Sequence, residues 1–598
     1  MTTTTSNIDT IPAKLFDTAR RRGSAPAYHV KVNGAWQPTS WQVYADEVKA
    51  AGKALMALGV EPGGSVAILG FNRPEWVIMD VAALTIGGAA AGVYTTCSAE
   101  EVQYIVEHAE STVALVENRH QWEKLRSQRD HMPHLRHVVA MKGAGLDAEG
   151  VLSWEDFMAR GKGIPDADFL ARLHALEPSG LATLIYTSGT TGPPKGVMLS
   201  HDNLFWTAGA MHELMGVKET DQLLSYLPLS HIAEQMLTIH GPVLSGGAIY
   251  FAESLDKVSE NLKEVQPTVL FGVPRIWEKI HAGVAERLAQ ATGFKKSLIT
   301  WVRGVSARKV ALENSGQKLG LALSLQHKLA DRLVLSKLKP ALGLGRARWC
   351  VSGAAPIAKD VLDFFATLDI AVFEVYGQSE DTGPTTINLP GRAKLGSVGV
   401  LIPGIEVKIA GDGEILVRGR NVFAGYYKDP TATSEALIDG WLHSGDLGEF
   451  DDKGFLSITG RKKDIIITAG GKNIAPKNIE AALKSTRLVA EAVVIGDRRK
   501  FLTALVALDE EAAGNFLREK GLTDSQPLHQ NESIRQEIQS AVNEINSRLA
   551  QVEGIKKFTI LPRSFTIEHG ELTPTLKVKR KMVNQNFADQ IEAMYQGG

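Results

Sequence analysis

The stretch YTSGTTGPPKGV, residues 186–197, gathers hydroxyls, glycines and prolines around a single lysine. Gly189 and Gly192 let backbone N–H groups come close to an anion. Thr187, Ser188, Thr190 and Thr191 add hydroxyl donors, and Lys195 adds a positive charge. Together these groups suit a polyphosphate. The pattern is not a Walker A loop, because Pro194 stands before Lys195 and Gly196 after it. The loop follows LATLI, an apolar run that reads as a buried strand.

The elements around it predict how such a loop is held. Short apolar runs at 65–71, 137–141, 247–251, 268–273, 348–353 and 371–377 read as strands, with helical patterns between several of them. Tyr44, Val48, Ala51, Leu55 and Leu58 recur at helical spacing, and Gly59 with Pro62-Gly63 stops that helix. Strand–helix alternation predicts an α/β fold with largely parallel sheets. From about residue 398 the strands become short and Gly-punctuated, as in an antiparallel β unit. After Arg461 a helix and strands at 491–497 and 502–508 predict a small α+β domain. The expected organisation is a large N-terminal domain, 1–462, and a small mobile C-terminal domain, 463–598.

A chain of 598 residues is too long for one core, which agrees with more than one domain. The net charge of -2 gives no sign of a nucleic-acid partner. With only Cys97 and Cys350, no disulfide framework or cysteine-rich zinc site can be built. No window reaches the ~20 apolar residues of a membrane span, so a cytoplasmic protein is expected. One region stands apart. Between VPRIWEKI and RWCVSG lie about sixty residues of helical pattern carrying Lys295, Lys296, Arg303, Arg308, Lys309, Lys318, Lys328, Arg332, Lys337 and Lys339. They read as a solvated face or as a basic surface meeting anionic lipid from outside.

The phosphate-loop stretch closely resembles the signature of the adenylate-forming, or AMP-binding, superfamily. YLPLSHIAEQ, VSGAAP, VYGQSE, HSGDLG, GRKKDIIITAGGKNIAP and PTLKVKRK follow in that family's order. YLPLSHIAEQ, VPRIWEKI and the helical insertion resemble long-chain fatty acid–CoA ligases, nearest the bubblegum-type branch. The resemblance implies ATP, Mg²⁺ and coenzyme A as reaction partners and a long-chain fatty acid as substrate. A carboxylate attacks the α-phosphate of ATP, and the CoA thiol then attacks the acyl-adenylate. A fatty acyl-AMP ligase serving a carrier protein is the neighbouring reading, and a non-catalytic binding scaffold the distant one.

The resemblance also assigns residues. Lys577 would bridge carboxylate and α-phosphate, although Leu576 stands where the family has glycine. Glu380 would meet Mg²⁺ and Ser379 would keep a hydroxyl beside it. Tyr376 and Gly377 would lie against adenine, with Gly353, Ala354 and Ala355 on the other side. Asp446 and Arg461 would contact ribose. Thr190 belongs to the catalytic phosphate loop, and His231 lines the route to the acyl pocket. Lys463 would be the hinge, and Gly470, Gly471 and Lys472 would receive CoA.

Overall fold

The computed structural model describes residues 9–187, 193–522, 526–573 and 576–596. An eight-stranded sheet forms the centre of the large domain. Leu181–Thr187, Ala89–Val93, Ser65–Leu69, Ser111–Val116 and His137–Ala140 lie side by side in parallel. Lys195–Ser200 and Gly425–Tyr426 add an antiparallel edge. A second sheet sets Val269–Gly272, Trp349–Ser352 and Val372–Tyr376 in parallel. A four-stranded sheet joins Gln222–Ser225 and Ala248–Phe251 to Pro26–Val32 and Ala35–Ser40. The short strands Glu406–Ile409, Glu414–Arg418, Trp441–Phe450 and Leu456–Arg461 pair antiparallel, as their glycine punctuation predicts.

The helix Trp41–Ala57 buries Tyr44, Val48, Ala51 and Leu55, and Ser40 caps it by accepting from the Val43 N–H. One central strand escapes sequence reading. Ala89–Val93 is three alanines and a glycine, poor strand formers, before a single valine, yet all five residues are buried. The small side chains are needed, because a Cβ on Gly92 would lie 2.8 Å from the Ser230 Cα. Downstream, Val489–Ile495, Leu502–Leu508 and Ile555–Ile560 make a three-stranded sheet covered by Pro476–Lys484 and Glu532–Asn546. Its two apolar cores draw only on residues from Ile466 onward.

The helical insertion contains Gly293–Asn314, Leu321–Ala330 and Ser336–Ala341, with a π turn at Asp331–Leu335. Its cations divide into an exposed set and a set engaged with the body. Lys309 and Lys339 bind the buried Asp369 at 2.9 and 2.6 Å, with His327 at 3.1 Å. Those contacts hold Asp369 below the usual carboxylate range against the opposing effect of burial. Arg303 packs over the Phe364 ring and donates to Thr367.

Glycine positions give a direct check on this packing. A Cβ on Gly377 would fall 1.4 Å from the Gly383 carbonyl oxygen. Gly377→Ala is therefore expected to destabilise the fold by roughly 3 kcal/mol or more. Gly304, inside the helix Gly293–Asn314, meets nothing within 4 Å. Gly304→Ala is expected to stabilise by ~0.5–1 kcal/mol. Denaturant unfolding of both variants tests the contrast.

Candidate active site

One cleft of about 3010 Å³ collects most of the residues singled out by sequence. That exceeds the roughly 300–1,000 Å³ of a single small-ligand pocket, so it has room for more than one substrate. Its first wall is the hairpin Leu181–Thr187 and Lys195–Ser200. Thr187 faces Lys195 in register, and its hydroxyl donates to the Lys195 carbonyl at 3.5 Å. Ser188, Gly189, Thr190, Thr191 and Gly192 lie outside the described residues. Lys195 Nζ sits 4.8 Å from the centroid of the Tyr426 ring. The Tyr426 hydroxyl in turn donates to Glu380 at 2.9 Å. Sheet pairing of Gly425–Tyr426 with Lys195–Ser200 brings these groups together across more than two hundred residues of chain.

The second wall begins at Val372–Tyr376. The Tyr376 hydroxyl donates to Asp446 Oδ2 at 3.1 Å, and Gln378 Nε2 reaches the same oxygen at 3.2 Å. Arg461 Nε pairs with Asp446 Oδ1 at 3.2 Å. Asp446 and Arg461 are cross-strand partners in the antiparallel β unit, so backbone register sets their approach. Gly377 and the buried Ser379 line the cleft beside them. Ala354 and Ala355 are open to it, Ala354 with φ +67°. Gly353 is not at the surface expected of it. It is packed behind, where a Cβ would meet Val375 at 2.6 Å.

The C-terminal domain supplies cations. Lys577 opens onto the cleft from a turn in which its N–H donates to Thr573 Oγ1 at 3.0 Å and the Leu576 N–H to the Thr573 carbonyl at 2.8 Å. Surrounding protein lowers the Lys577 pKa, and the Arg461 and Lys477 cations lower it further, while Glu380 and Asp446 act the other way. Lys477, at the start of Pro476–Lys484, also lines the cleft. Sequence reading missed Lys477 and Tyr426, since neither belongs to a residue spacing that signals chemistry by itself. Lys463 lines the cleft as well. Gly470, Gly471 and Lys472 are not brought in. They form an exposed turn between Ile466–Ile467 and Asn473–Ile474, with Gly471 at φ +75°.

From this charged region an apolar arm runs inward past Met211, Met215, Met236, Leu237 and Phe271. His231 stands beside it. Its Nδ1 accepts the Ala233 N–H at 3.2 Å, which leaves the proton on Nε2 as a donor. Burial, with Lys577 nearby, pushes its pKa down to about 4, so the ring is neutral at pH 7. Glu234, fully enclosed, accepts from Ser225 and Thr238 at 2.8 Å and from Asn72 at 3.1 Å. It anchors the segment carrying His231 and was not evident from sequence.

The family described as AMP-binding enzyme matches residues 15–427, and the AMP-binding enzyme C-terminal domain matches residues 463–598. The chain belongs to the AMP-binding enzyme family. Within it, the chain is similar to the long-chain-fatty-acid–CoA ligase ACSBG2 of Xenopus laevis, 39% identical over 98% of this chain and 84% of that protein. It is 37% identical to the long-chain-fatty-acid–CoA ligase FadD15 of Mycobacterium tuberculosis, over 98% of this chain and 97% of that one. Among solved structures, the adenylation domain of a carboxylate reductase from Mycobacterium chelonae superimposes with a TM-score of 0.77 at 21% identity, covering 98% and 91% of the two chains. At that identity the likeness concerns the fold of this AMP-binding enzyme alone.

The neutral state of His231 has a measurable consequence. Its folded pKa lies below the ordinary 6.5, so the unfolded chain takes up the proton first as pH falls. The stability of the wild type should therefore fall relative to His231→Asn between pH 6.5 and about 4, by up to roughly 1.4 kcal/mol per pH unit. Comparing unfolding curves of the two proteins across that range cancels contributions from other titrating groups. A difference that stays constant with pH would contradict the neutral buried ring.

Proposed function

We propose that this AMP-binding enzyme joins a long-chain fatty acid to coenzyme A through an acyl-adenylate, releasing AMP and pyrophosphate. The observation that carries the reading is that Lys195, Arg461, Lys477 and Lys577 line the same cleft as the apolar arm, with Arg461 and Lys477 close enough to Lys577 to lower its pKa. An apolar arm suits an alkyl chain whose carboxylate stops at those cations. Adenylation must bring a carboxylate onto a phosphate of like charge, and fixed cations reduce that repulsion most in the transition state.

In this reading Lys577 spans the carboxylate and the α-phosphate, and Lys195 holds the outer phosphates. Asp446 accepts from ribose hydroxyls while Arg461 keeps the carboxylate oriented. Ala354 and Ala355 leave space for a flat base against the Tyr376 side. His231 donates through Nε2 and is no base, because a fatty acid is already ionised at neutral pH. Among the described residues no group of three or more His, Cys, Asp or Glu is arranged to hold a metal. Glu380 is nevertheless compatible with Mg²⁺, which accepts one carboxylate when phosphate oxygens and water complete its shell. Bound there, the ion would neutralise phosphate charge. The exposed turn with Gly470, Gly471 and Lys472 serves the second step, after the C-terminal domain swings about Lys463 to exchange it for Lys577.

Lys577→Ala tests the assignment. ATP–pyrophosphate exchange driven by fatty acid should drop roughly 10²–10³-fold. Thioester formation from supplied acyl-adenylate and CoA should persist. Exchange at the wild-type rate would remove Lys577 from the chemistry. Formation of adenylate by the wild type without thioester would indicate a carrier-protein acceptor in place of CoA.

The Lys577 turn offers a second test. Leu576 has φ +59°, a left-handed conformation that costs a branched residue ~1–2 kcal/mol. Leu576→Gly should keep adenylation, since glycine adopts that angle freely. Leu576→Pro should lose it, because proline holds φ near -65° and removes the N–H bonded to Thr573. Half-reaction rates for the two variants decide the point.

A further inference from the structure

The helical insertion carries an apolar stripe that the fold leaves uncovered. Leu321, Leu325, Leu329 and Leu333 recur every four residues along Leu321–Ala330 and the π turn after it. They are 86%, 66%, 50% and 46% exposed, and Phe294 at the start of the neighbouring helix is 84% exposed. The other side of the same helices is satisfied. Val302, Val305, Ala330 and Leu335 form a small core of their own, and the Asp369 contacts tie the insertion to the body. The stripe is therefore a surplus of apolar surface on an ordered element, not a poorly packed core.

Charge accompanies it. Residues 293–339 hold ten Lys and Arg against two acids, net +8 in a chain whose total is -2. Lys309 and Lys339 are consumed by Asp369. Lys295, Lys296, Lys318, Lys328, Arg332 and Lys337 are exposed, and among the described residues none of them forms an ion pair. Two of these cations adjoin Phe294, and Lys328 and Arg332 alternate with the leucines. Leucine beside unpaired cations on one helix is the pattern of a helix that lies in a lipid–water interface. A protein partner would equally need acids matched to six scattered cations, whereas an anionic lipid surface presents negative charge everywhere. Among the described residues no helix is long and apolar enough to cross a membrane, so contact would be from one side.

We propose that the stripe from Leu321 to Leu333, with Phe294 and the unpaired cations around it, docks the enzyme onto an anionic lipid surface. Leucines and Phe294 enter the headgroup boundary, and the cations rest against lipid phosphates. The insertion follows directly from the helix Pro274–Ala289, whose Pro274, Arg275 and Ile276 line the cleft. Docking there places the cleft beside the phase in which a long-chain fatty acid dissolves. That benefit rests on the ligase reading; the docking itself does not.

Flotation of the full chain with vesicles tests it. With phosphatidylcholine vesicles containing phosphatidylglycerol the wild type should float, and with phosphatidylcholine alone it should largely remain behind. Raising salt from about 0.05 M to about 0.5 M should release it by screening. Lys328→Glu/Arg332→Glu and Leu325→Asp/Leu329→Asp should each lower binding roughly tenfold or more, with the thermal midpoint kept. Absence of wild-type flotation on the anionic vesicles overturns the proposal whatever the variants do. So does undiminished flotation of the leucine variant, or sedimentation showing a dimer that this variant breaks apart, which would make a second copy the occupant. None of these outcomes bears on the pyrophosphate-exchange assay, so failure of docking and failure of the ligase reading are distinguishable.

Discussion

Cations held close to one another without ion-pair partners govern one corner of the cleft. Asp446 is already matched by Arg461, and Glu380 by the Tyr426 hydroxyl. Lys577 and Lys477 form no ion pair with a carboxylate among the described residues, and burial together with the Arg461 cation lowers the pKa of both. Cations gathered without partners in a partly dry site are unfavourable until an anion arrives. The stability sacrificed there becomes affinity for phosphate and carboxylate, and it is strongest where two such anions must meet. The chemistry proposed for this enzyme is the one such a site would favour.

The fold meets that constraint with parts that are individually ordinary. Backbone register, not side-chain reach, sets Asp446 against Arg461 and Tyr426 beside Lys195. Gly377 lets the chain turn sharply from Tyr376 toward Glu380 where any Cβ would collide with Gly383. Lys577 and Lys477 come from a domain with cores of its own, joined to the body through contacts such as Arg275 to the Ala490 carbonyl and Arg548 to Asp360. In the function proposed above, a module with cores of its own delivers and withdraws its lysines without unfolding, which is what two successive reactions at one cleft require.

Sequence reading succeeded where chemistry and geometry are local. The antiparallel β unit and the strand before Gly377 are visible because glycines and apolar residues sit within a few positions of one another. It failed where neighbours come from distant segments. Tyr426, Lys477 and Glu234 look unremarkable in the chain, and only sheet pairing and domain closure give them partners. Ala89–Val93 has valine as its one strong strand former, because close packing of Gly92 against Ser230 overrides propensity. Gly353 is packed against Val375 while Ala354 and Ala355 beside it face the cleft, a difference that depends on a neighbouring strand. The basic insertion read as one population of charges, whereas folding divides it into cations spent on Asp369 and cations left at the surface.

The most direct measurement follows an oxygen atom. A long-chain fatty acid with a heavy-oxygen-labelled carboxylate would be turned over with ATP, Mg²⁺ and CoA, and the nucleotide product analysed by mass spectrometry. Attack of the carboxylate on the α-phosphate predicts AMP carrying one labelled oxygen, with pyrophosphate unlabelled and acyl-CoA formed. Label in inorganic phosphate with ADP as the nucleotide product would contradict the acyl-adenylate account.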